Sequence, residues 1–249
     1  MGACLLEGLL KFLGCPKCGC GVELSDSYLK CRCCGRSFPI REGFPDFRVG
    51  ECFKGVNTLQ RILYNMYAPF YDVLESRLIK LYGVTEDSLR EEVVSSMDIG
   101  GGDAVLEVSV GTCGNVPYFR RFTEGPIVGL DISEKMLSRC VENLGMWSVE
   151  DVYLVLGCGE YLPFKEGVFD RVLIGGAFTY FSDPRRALRE AARVTRAGGF
   201  VVVYDQVTFI DRATGRDKLP VRVKPEGLEL LSYRYLFGKL FYVAKFLKH

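Results

Sequence analysis

The most reactive side chains in this sequence are its cysteines, and they are placed unevenly. The 249 residues hold 11 Cys, and seven of these (Cys4, Cys15, Cys18, Cys20, Cys31, Cys33 and Cys34) fall within the first 34 positions. Cys15 and Cys18 form one CxxC pair, and Cys31 and Cys34 form another. A CxxC turn points two sulfurs the same way. Two such turns supply the four soft thiolates that tetrahedral Zn²⁺ takes, with no position left for water, so the chemistry expected is structural rather than catalytic. Gly19 or Gly21, and Gly35, follow the pairs, where a tight turn favours a residue that accepts positive φ. Residues 28–30 read as the strand that presents the second pair. Cys20 and Cys33 are surplus to the four, and Cys33 is an alternative ligand. A redox pair or unligated thiols are the competing readings of the cluster.

A second set of candidates sits at the ends of short apolar runs. The first run leads into Glu107, Ser109, Gly111, Thr112, Cys113, Gly114 and Asn115, and the second ends at Asp131, Ile132 and Ser133. An acid about twenty residues beyond a glycine-bearing first loop is the arrangement that accepts ribose hydroxyls. Alone it fits NAD or S-adenosylmethionine. A third segment carries Cys158, Gly159 and Glu160, and Asp170 follows as a residue expected to support a turn. The one histidine is His249, so neither a histidine base nor a histidine metal ligand is expected.

These residues need elements to hold them. Residues 104–110, 126–132, 151–156, 168–175 and 200–204 read as strands, and 133–144 and 183–196 as helices. The second helix is marked by Asp183 as N-cap, Pro184 at its first position and a Leu188, Ala191, Ala192, Thr195 face, with Gly198 and Gly199 as its stop. Alternating strands and helices predict an α/β fold with a doubly wound, Rossmann-like sheet, whose ligands bind at the carboxyl ends of the strands. Residues 228–237 and 239–247, around Gly238, predict an antiparallel C-terminal hairpin. The expected division is a metal-held ribbon at 1–50, a helical connector or lid at 51–99, and the main domain at 100–249.

Composition narrows the partners. Lys and Arg total 32 against 31 Asp and Glu, which does not fit a binder held mainly by phosphate neutralisation. Residues 206–249 carry nine Lys or Arg against four Asp or Glu, a mild basic bias that reads as solvated surface. Glu7 and Lys11 interrupt the apolar start, and no uncharged run reaches membrane-span length. The clustering and odd number of cysteines argue against a full disulfide framework. The expectation is a soluble protein of a reducing cytoplasm, without a membrane partner.

Two resemblances add to this reading. CPxC, a strand, CxxCG and the Pro39-Ile40 to Phe47 stretch resemble the small zinc-ribbon domain of the methyltransferase-activator family, over about residues 10–48. The motifs of residues 100–205 resemble the class I S-adenosylmethionine-dependent methyltransferases, in the branch of the ubiquinone and menaquinone methyltransferases. They are the loop after Glu107, the Asp131 strand end, the Glu160 to Phe164 segment, the Phe169-Asp170 strand and the turn from Arg193 to Gly199. Tyr67 to Asp72 resembles that family's upstream tyrosine element.

The resemblance implies S-adenosylmethionine and Zn²⁺ as cofactors. It assigns Glu107, Ser109, Gly111 and Thr112 to the methionine end, Asp131 to the ribose, and Ile132, Cys158, Gly159 and Glu160 to adenine. Tyr71 becomes a lid residue and Tyr180 the substrate-side residue. Three places depart from the family pattern: Ser109 and Cys113 stand where glycines are usual, Cys158 where an aspartate accepts from adenine, and Thr179-Tyr180 where histidines are common. Fusion to a ribbon implies RNA or protein as the methyl acceptor, whereas the core motifs imply a small molecule. A non-catalytic adaptor or activator, and an RNA-binding protein, are the alternative functions.

Overall fold

The computed structural model describes residues 3–25, 27–53 and 83–249. Its N-terminal part is helix α1 (Ala3–Leu10) followed by a four-stranded antiparallel sheet of β1 (Val22–Ser25), β2 (Tyr28–Cys31), β3 (Ser37–Arg41) and β4 (Phe44–Pro45). The strand expected before the second cysteine pair is β2. The turns after the pairs use Gly19 and Gly35, both at positive φ. So small a sheet buries little by itself. It is packed on the main domain instead: Leu9, Leu13, Leu29, Phe38 and Phe47 join one buried cluster with Leu106, Phe164, Phe169 and Val172. Backbone bonds run from Gly14 N to Pro163 O (2.9 Å) and from Lys165 N to Phe12 O (2.8 Å).

The main domain begins with α2 (Glu86–Ser95), capped by Thr85, whose side chain accepts from Ser88 N. It continues through β5 (Val105–Val108), α3 (Val116–Arg120), β6 (Ile127–Asp131), α4 (Glu134–Trp147), β7 (Val152–Leu156), β8 (Phe169–Gly175), α5 (Pro184–Val194) and β9 (Thr195–Gln206). After α6 (Phe209–Thr214) and α7 (Leu219–Arg222), the chain closes with β10 (Leu228–Leu236) and β11 (Phe241–Lys248). The sheet order is β10-β11-β9-β8-β5-β6-β7. β9, β8, β5, β6 and β7 are parallel, and β11 and β10 add the antiparallel hairpin that the sequence predicts. Chain order reverses between β5 and β8, so the carboxyl ends of those strands open the crevice where ligands bind in such sheets.

One boundary differs from expectation. α5 ends at Val194, and Gly198-Gly199 lie in the irregular start of β9, where the register with β8 shifts between Phe169 and Arg171. Thr195 is already extended (φ −79°, ψ 134°), and its hydroxyl donates back to Ala191 O at 2.7 Å, which stops the helix before the glycines. Gly199 is then required by a close approach, since a Cβ there would lie 2.7 Å from Asp170 O. Of the connector expected at 51–99, residues 54–82 lie outside the described residues. Among the described residues, no helix is long and apolar enough to cross a membrane.

Candidate cofactor crevice

The loop leaving β5 makes three left-handed steps in alternation, at Ser109 (φ 63°), Gly111 (φ 56°) and Cys113 (φ 67°). Two of these are non-glycine residues in a region that disfavours a Cβ. Gly111 borders open space, with no atom within 4 Å of where its Cβ would be. Its N–H donates to Asp131 Oδ2 at 2.9 Å, while Ser133 N donates to Oδ1 at 2.9 Å. The first loop and the end of β6 are thereby locked together around the Asp131 carboxylate. Burial pushes that carboxyl up to about 6, against the stabilising N–H donors of Ser133 and Gly111. The N-cap of α4 is Ser133, so Asp131 is not spent on capping.

Glu107 lies on β5 between Gly129 of β6 and Leu173 of β8 and is buried. Its Oε1 accepts from Asn115 Nδ2 at 2.6 Å, and its Oε2 is buried with no hydrogen-bond partner among the described residues. Burial raises its pKa to about 8, opposed by the Asn115 hydrogen bond and the Arg90 charge. Asn115 is itself held: Arg90 Nη1 donates to its Oδ1 at 3.0 Å, and Arg90 Nε donates to Glu86 at 2.9 Å. Gly114 lets this happen, because a Cβ there would collide with the Arg90 guanidinium. Sequence reasoning missed Arg90, and it named Asn115 among the first-loop candidates without giving it a role. Asn115 stands directly after the glycine-bearing loop, which was the available signal, whereas nothing in the sequence ties Arg90 to it.

The third segment behaves differently from expectation. Cys158 is not a thiol facing adenine: it is disulfide-bonded to Cys52, in the strap that leaves the ribbon. Gly159 lacks a side chain because Phe181 occupies that space, where a Cβ would lie 2.8 Å from the ring. Glu160 is turned inward, with Oε1 accepting from Ser182 N at 3.0 Å. Ile132 stays half-buried at the crevice, and its carbonyl accepts from Arg48 Nη1 at 3.2 Å. Thr112 is buried, and its carbonyl takes Asn143 Nδ2 at 3.1 Å. Tyr180, just past β8, is exposed on the neighbouring rim, and burial and then Asp205 and Asp211 raise its pKa. Tyr67 and Tyr71 lie outside the described residues. Asp170 has the supporting role expected, accepting from Ala104 N at 2.7 Å.

The cysteines also redistribute. Cys15, Cys18, Cys31 and Cys34 place their sulfurs within 4.8 Å of one another. The Cys15–Cys34 and Cys18–Cys31 sulfurs are 3.8 and 3.5 Å apart, against the separation of about 3.8 Å that a tetrahedron with Zn–S bonds near 2.3 Å requires. Cys20 and Cys33, expected as surplus thiols, form a disulfide, which takes Cys33 out of the ligand set. Cys113 is bonded to Cys140 on α4. Among the described residues the fold thus brings three cysteine pairs together.

Comparison with known proteins agrees with this geometry. Residues 106–203 match the family model described as a methyltransferase domain. The chain is 32% identical over 161 residues to a demethylmenaquinone methyltransferase of Staphylococcus epidermidis, covering 63% of this chain and 61% of that protein. It is 32% identical over 162 residues to the Bacillus cereus protein of the same name, covering 61% and 62%. The chain thus spans about three fifths of these relatives' length. In fold it is similar to an S-adenosylmethionine-dependent methyltransferase from Aquifex aeolicus (TM-score 0.55, 17% identity, 64% of this chain and 89% of that one). It is also similar to a chain in the complex between the Haloferax volcanii Trm112 methyltransferase activator and a putative methyltransferase (TM-score 0.64, 16% identity, 76% and 96%). Residues 106–203 thus match a methyltransferase domain, and the chain shares the fold of an S-adenosylmethionine-dependent methyltransferase.

Proposed function

We propose that this protein transfers a methyl group from S-adenosylmethionine to a small apolar acceptor held on the Tyr180 side of the crevice. The observation that carries the cofactor reading is Glu107: a buried carboxylate oxygen without a partner among the described residues fits an incoming ammonium group. Burying a charge in this way is costly unless it is paired. When bound, the cofactor supplies a methyl carbon already activated by its sulfonium. The chain's own residues then align two reactants and exclude water, which accounts for much of the rate in such a displacement. Glu107 Oε2 would accept from the methionine amino group, with Asn115 and Arg90 fixing the carboxylate from behind. Asp131 would accept ribose hydroxyls with the lone pairs that Gly111 and Ser133 leave open. The open backbone edge at Gly111 gives the cofactor its approach. Tyr180, its pKa raised, keeps its proton and acts as a donor rather than a base.

The acceptor reading rests on position. The ribbon adds at the β7 edge, through Phe47 N to Leu156 O (2.8 Å), so it borders the Asp131 half of the crevice. The Tyr180 rim lies on the β8 and β9 side. A ribbon so placed is poorly sited to deliver RNA or protein to the reacting carbon. The relatives named above are demethylmenaquinone methyltransferases, which favours an acceptor of that aromatic, apolar kind. We also infer one structural Zn²⁺ on Cys15, Cys18, Cys31 and Cys34.

Calorimetry with S-adenosylmethionine and S-adenosylhomocysteine tests the cofactor reading. Binding should weaken strongly in Asp131→Ala. Wild-type protein that fails to bind at millimolar ligand would leave the adaptor reading standing instead. Tritiated-methyl transfer into lipid extract, RNA and protein tests the acceptor: label in RNA or protein overturns the small-molecule choice.

A further inference from the structure

The segment after β9 is built to present apolar and cationic side chains outward on the acceptor side of the crevice. Phe209 and Ile210, in the first turn of α6, are 79% and 64% exposed, and Tyr180 on the adjoining rim is 43% exposed. This exposure is not fraying. Thr208 and Asp211 form a reciprocal capping box, with Asp211 N to Thr208 Oγ1 at 3.1 Å and Thr208 N to Asp211 Oδ2 at 2.9 Å. Arg216 donates to Thr179 O, which ties the segment to the Tyr180 turn. Tyr233 donates to Asp217 O at 2.9 Å, Tyr235 to the Asp217 carboxylate, and Pro220 is buried.

Charge is sorted in the same way. Residues 209–224 hold five basic residues and two acids. Both acids, Asp211 and Asp217, are buried in the anchoring bonds, while Arg212, Arg216, Lys218, Arg222 and Lys224 are exposed. The next acid, Glu226, comes only after this run. A rim with two large exposed apolar tips, on a segment whose exposed charges are all cationic, is the pattern that enters the headgroup region of a bilayer and is drawn to anionic lipid.

We propose that the α6 rim docks this protein on an anionic lipid bilayer, with the Tyr180 opening facing the membrane. The proposal rests on the reading of Tyr180 as the acceptor side, and it gives a membrane-dissolved apolar acceptor a direct route to the crevice. The sequence reading expected no membrane partner because it found no span, but surface contact needs none. Two other occupants fit less well. A symmetric second copy would set the same cations against each other. RNA would use the cations and could stack on Phe209 or Tyr180, but it would leave aliphatic Ile210 without a partner.

The test is co-sedimentation of the full-length protein with vesicles of phosphatidylglycerol and phosphatidylcholine, and with phosphatidylcholine alone. Binding is expected to the anionic vesicles, to fall roughly tenfold or more in Phe209→Ser with Ile210→Ser, and to weaken in Arg212→Gln with Lys218→Gln. Absence of binding to anionic vesicles, or equal binding by the Phe209/Ile210 variant, overturns the proposal. So does RNA binding or dimerisation that this variant abolishes without any vesicle binding. Titration with S-adenosylhomocysteine is run on the same proteins. Its failure in wild type would sink the methyltransferase reading, whereas normal binding with no vesicle association sinks the docking proposal alone.

Discussion

In the N-terminal ribbon, four cysteine sulfurs gather within 4.8 Å as a common ligand set; around the cofactor crevice the cysteines are instead bonded in pairs between segments far apart in sequence. Cys52–Cys158 joins residues 106 positions apart and fastens the ribbon's strap to the third loop. Cys113–Cys140 joins residues 27 apart and fastens the first loop to α4. The ribbon also holds a disulfide, Cys20–Cys33, with a separation of 13. The contrast shows how the same residue type gains its value from context. Four thiolates on the proposed ion would add stability to a segment too short to build a core of its own. A disulfide contributes mainly by restricting the unfolded chain, so its worth grows with the loop it closes and shrinks where another link already closes it.

The comparison predicts that chelator and reductant act on different regions. The largest effect should come from the metal. Cys31→Ser, or a strong chelator, should remove about one zinc per chain and unfold the ribbon. Metal content and a thermal melt check this, and a variant that keeps its zinc and its melting temperature would break the four-thiolate assignment. Next is Cys52–Cys158, for which loop-closure entropy gives about 4.8 kcal/mol as an upper figure. Denaturant titration should show most of that lost on reduction of the wild type, and no effect of reductant in Cys52→Ser with Cys158→Ser. The variant should also bind S-adenosylhomocysteine more weakly, because the strap is no longer fastened beside Ile132.

For Cys113–Cys140 the same relation gives about 3.5 kcal/mol. Replacement of Cys113 by Gly with Cys140 by Ala should cost less than this, since glycine relieves the left-handed strain at Cys113, worth roughly 1–2 kcal/mol. A measured loss as large as that for Cys52–Cys158 would contradict the ordering. Smallest of all should be Cys20→Ser with Cys33→Ser. The proposed zinc would link Cys18 to Cys31 across an interval of the same length, so with metal bound the loss should stay under about 1 kcal/mol, and rise once zinc is removed.

Glu107 gives a test of the crevice that involves no cysteine. Its native pKa, about 8, lies above the ordinary carboxylate value of 4.5. Between those values the native state holds more protons than the unfolded state, so the stability of the ligand-free protein should fall as pH rises from about 5 to 8. Cofactor affinity should move the other way over the same range, because the carboxylate is the form that accepts an ammonium. Glu107→Gln should flatten both slopes. Calorimetric titrations at pH 6 and pH 8.5 that show equal slopes in wild type and variant would remove Glu107 from the cofactor site.

Much of the architecture was legible in the sequence because it is encoded by local pattern. The apolar runs at β5 to β9, the Asp183-Pro184 start of α5, and the hairpin about Gly238 are each set by residues within a few positions of one another. The four clustered cysteines were legible for the same reason, since CxxC turns are local. What was not legible depends on long-range meeting. Cys158 reads as a weak adenine partner until the fold brings Cys52 beside it. Glu160 reads only as a cofactor contact, and the sequence gives no sign of Ser182 N, which donates to its carboxylate. Arg90 is separated from Asn115 by 25 positions, and only the packing of α2 on α3 makes them neighbours.

The sequence by itself determined the α/β class, the four-thiolate cluster, and the Glu107 and Asp131 positions at strand ends, because periodicity, turn chemistry and motif spacing act locally. Only the tertiary structure decided which cysteines pair, that the ribbon shares a core with the sheet and lies against its β7 edge, and that Phe209 and Ile210 stay in water. Each of these depends on which surfaces of distant segments are brought together and which are left uncovered.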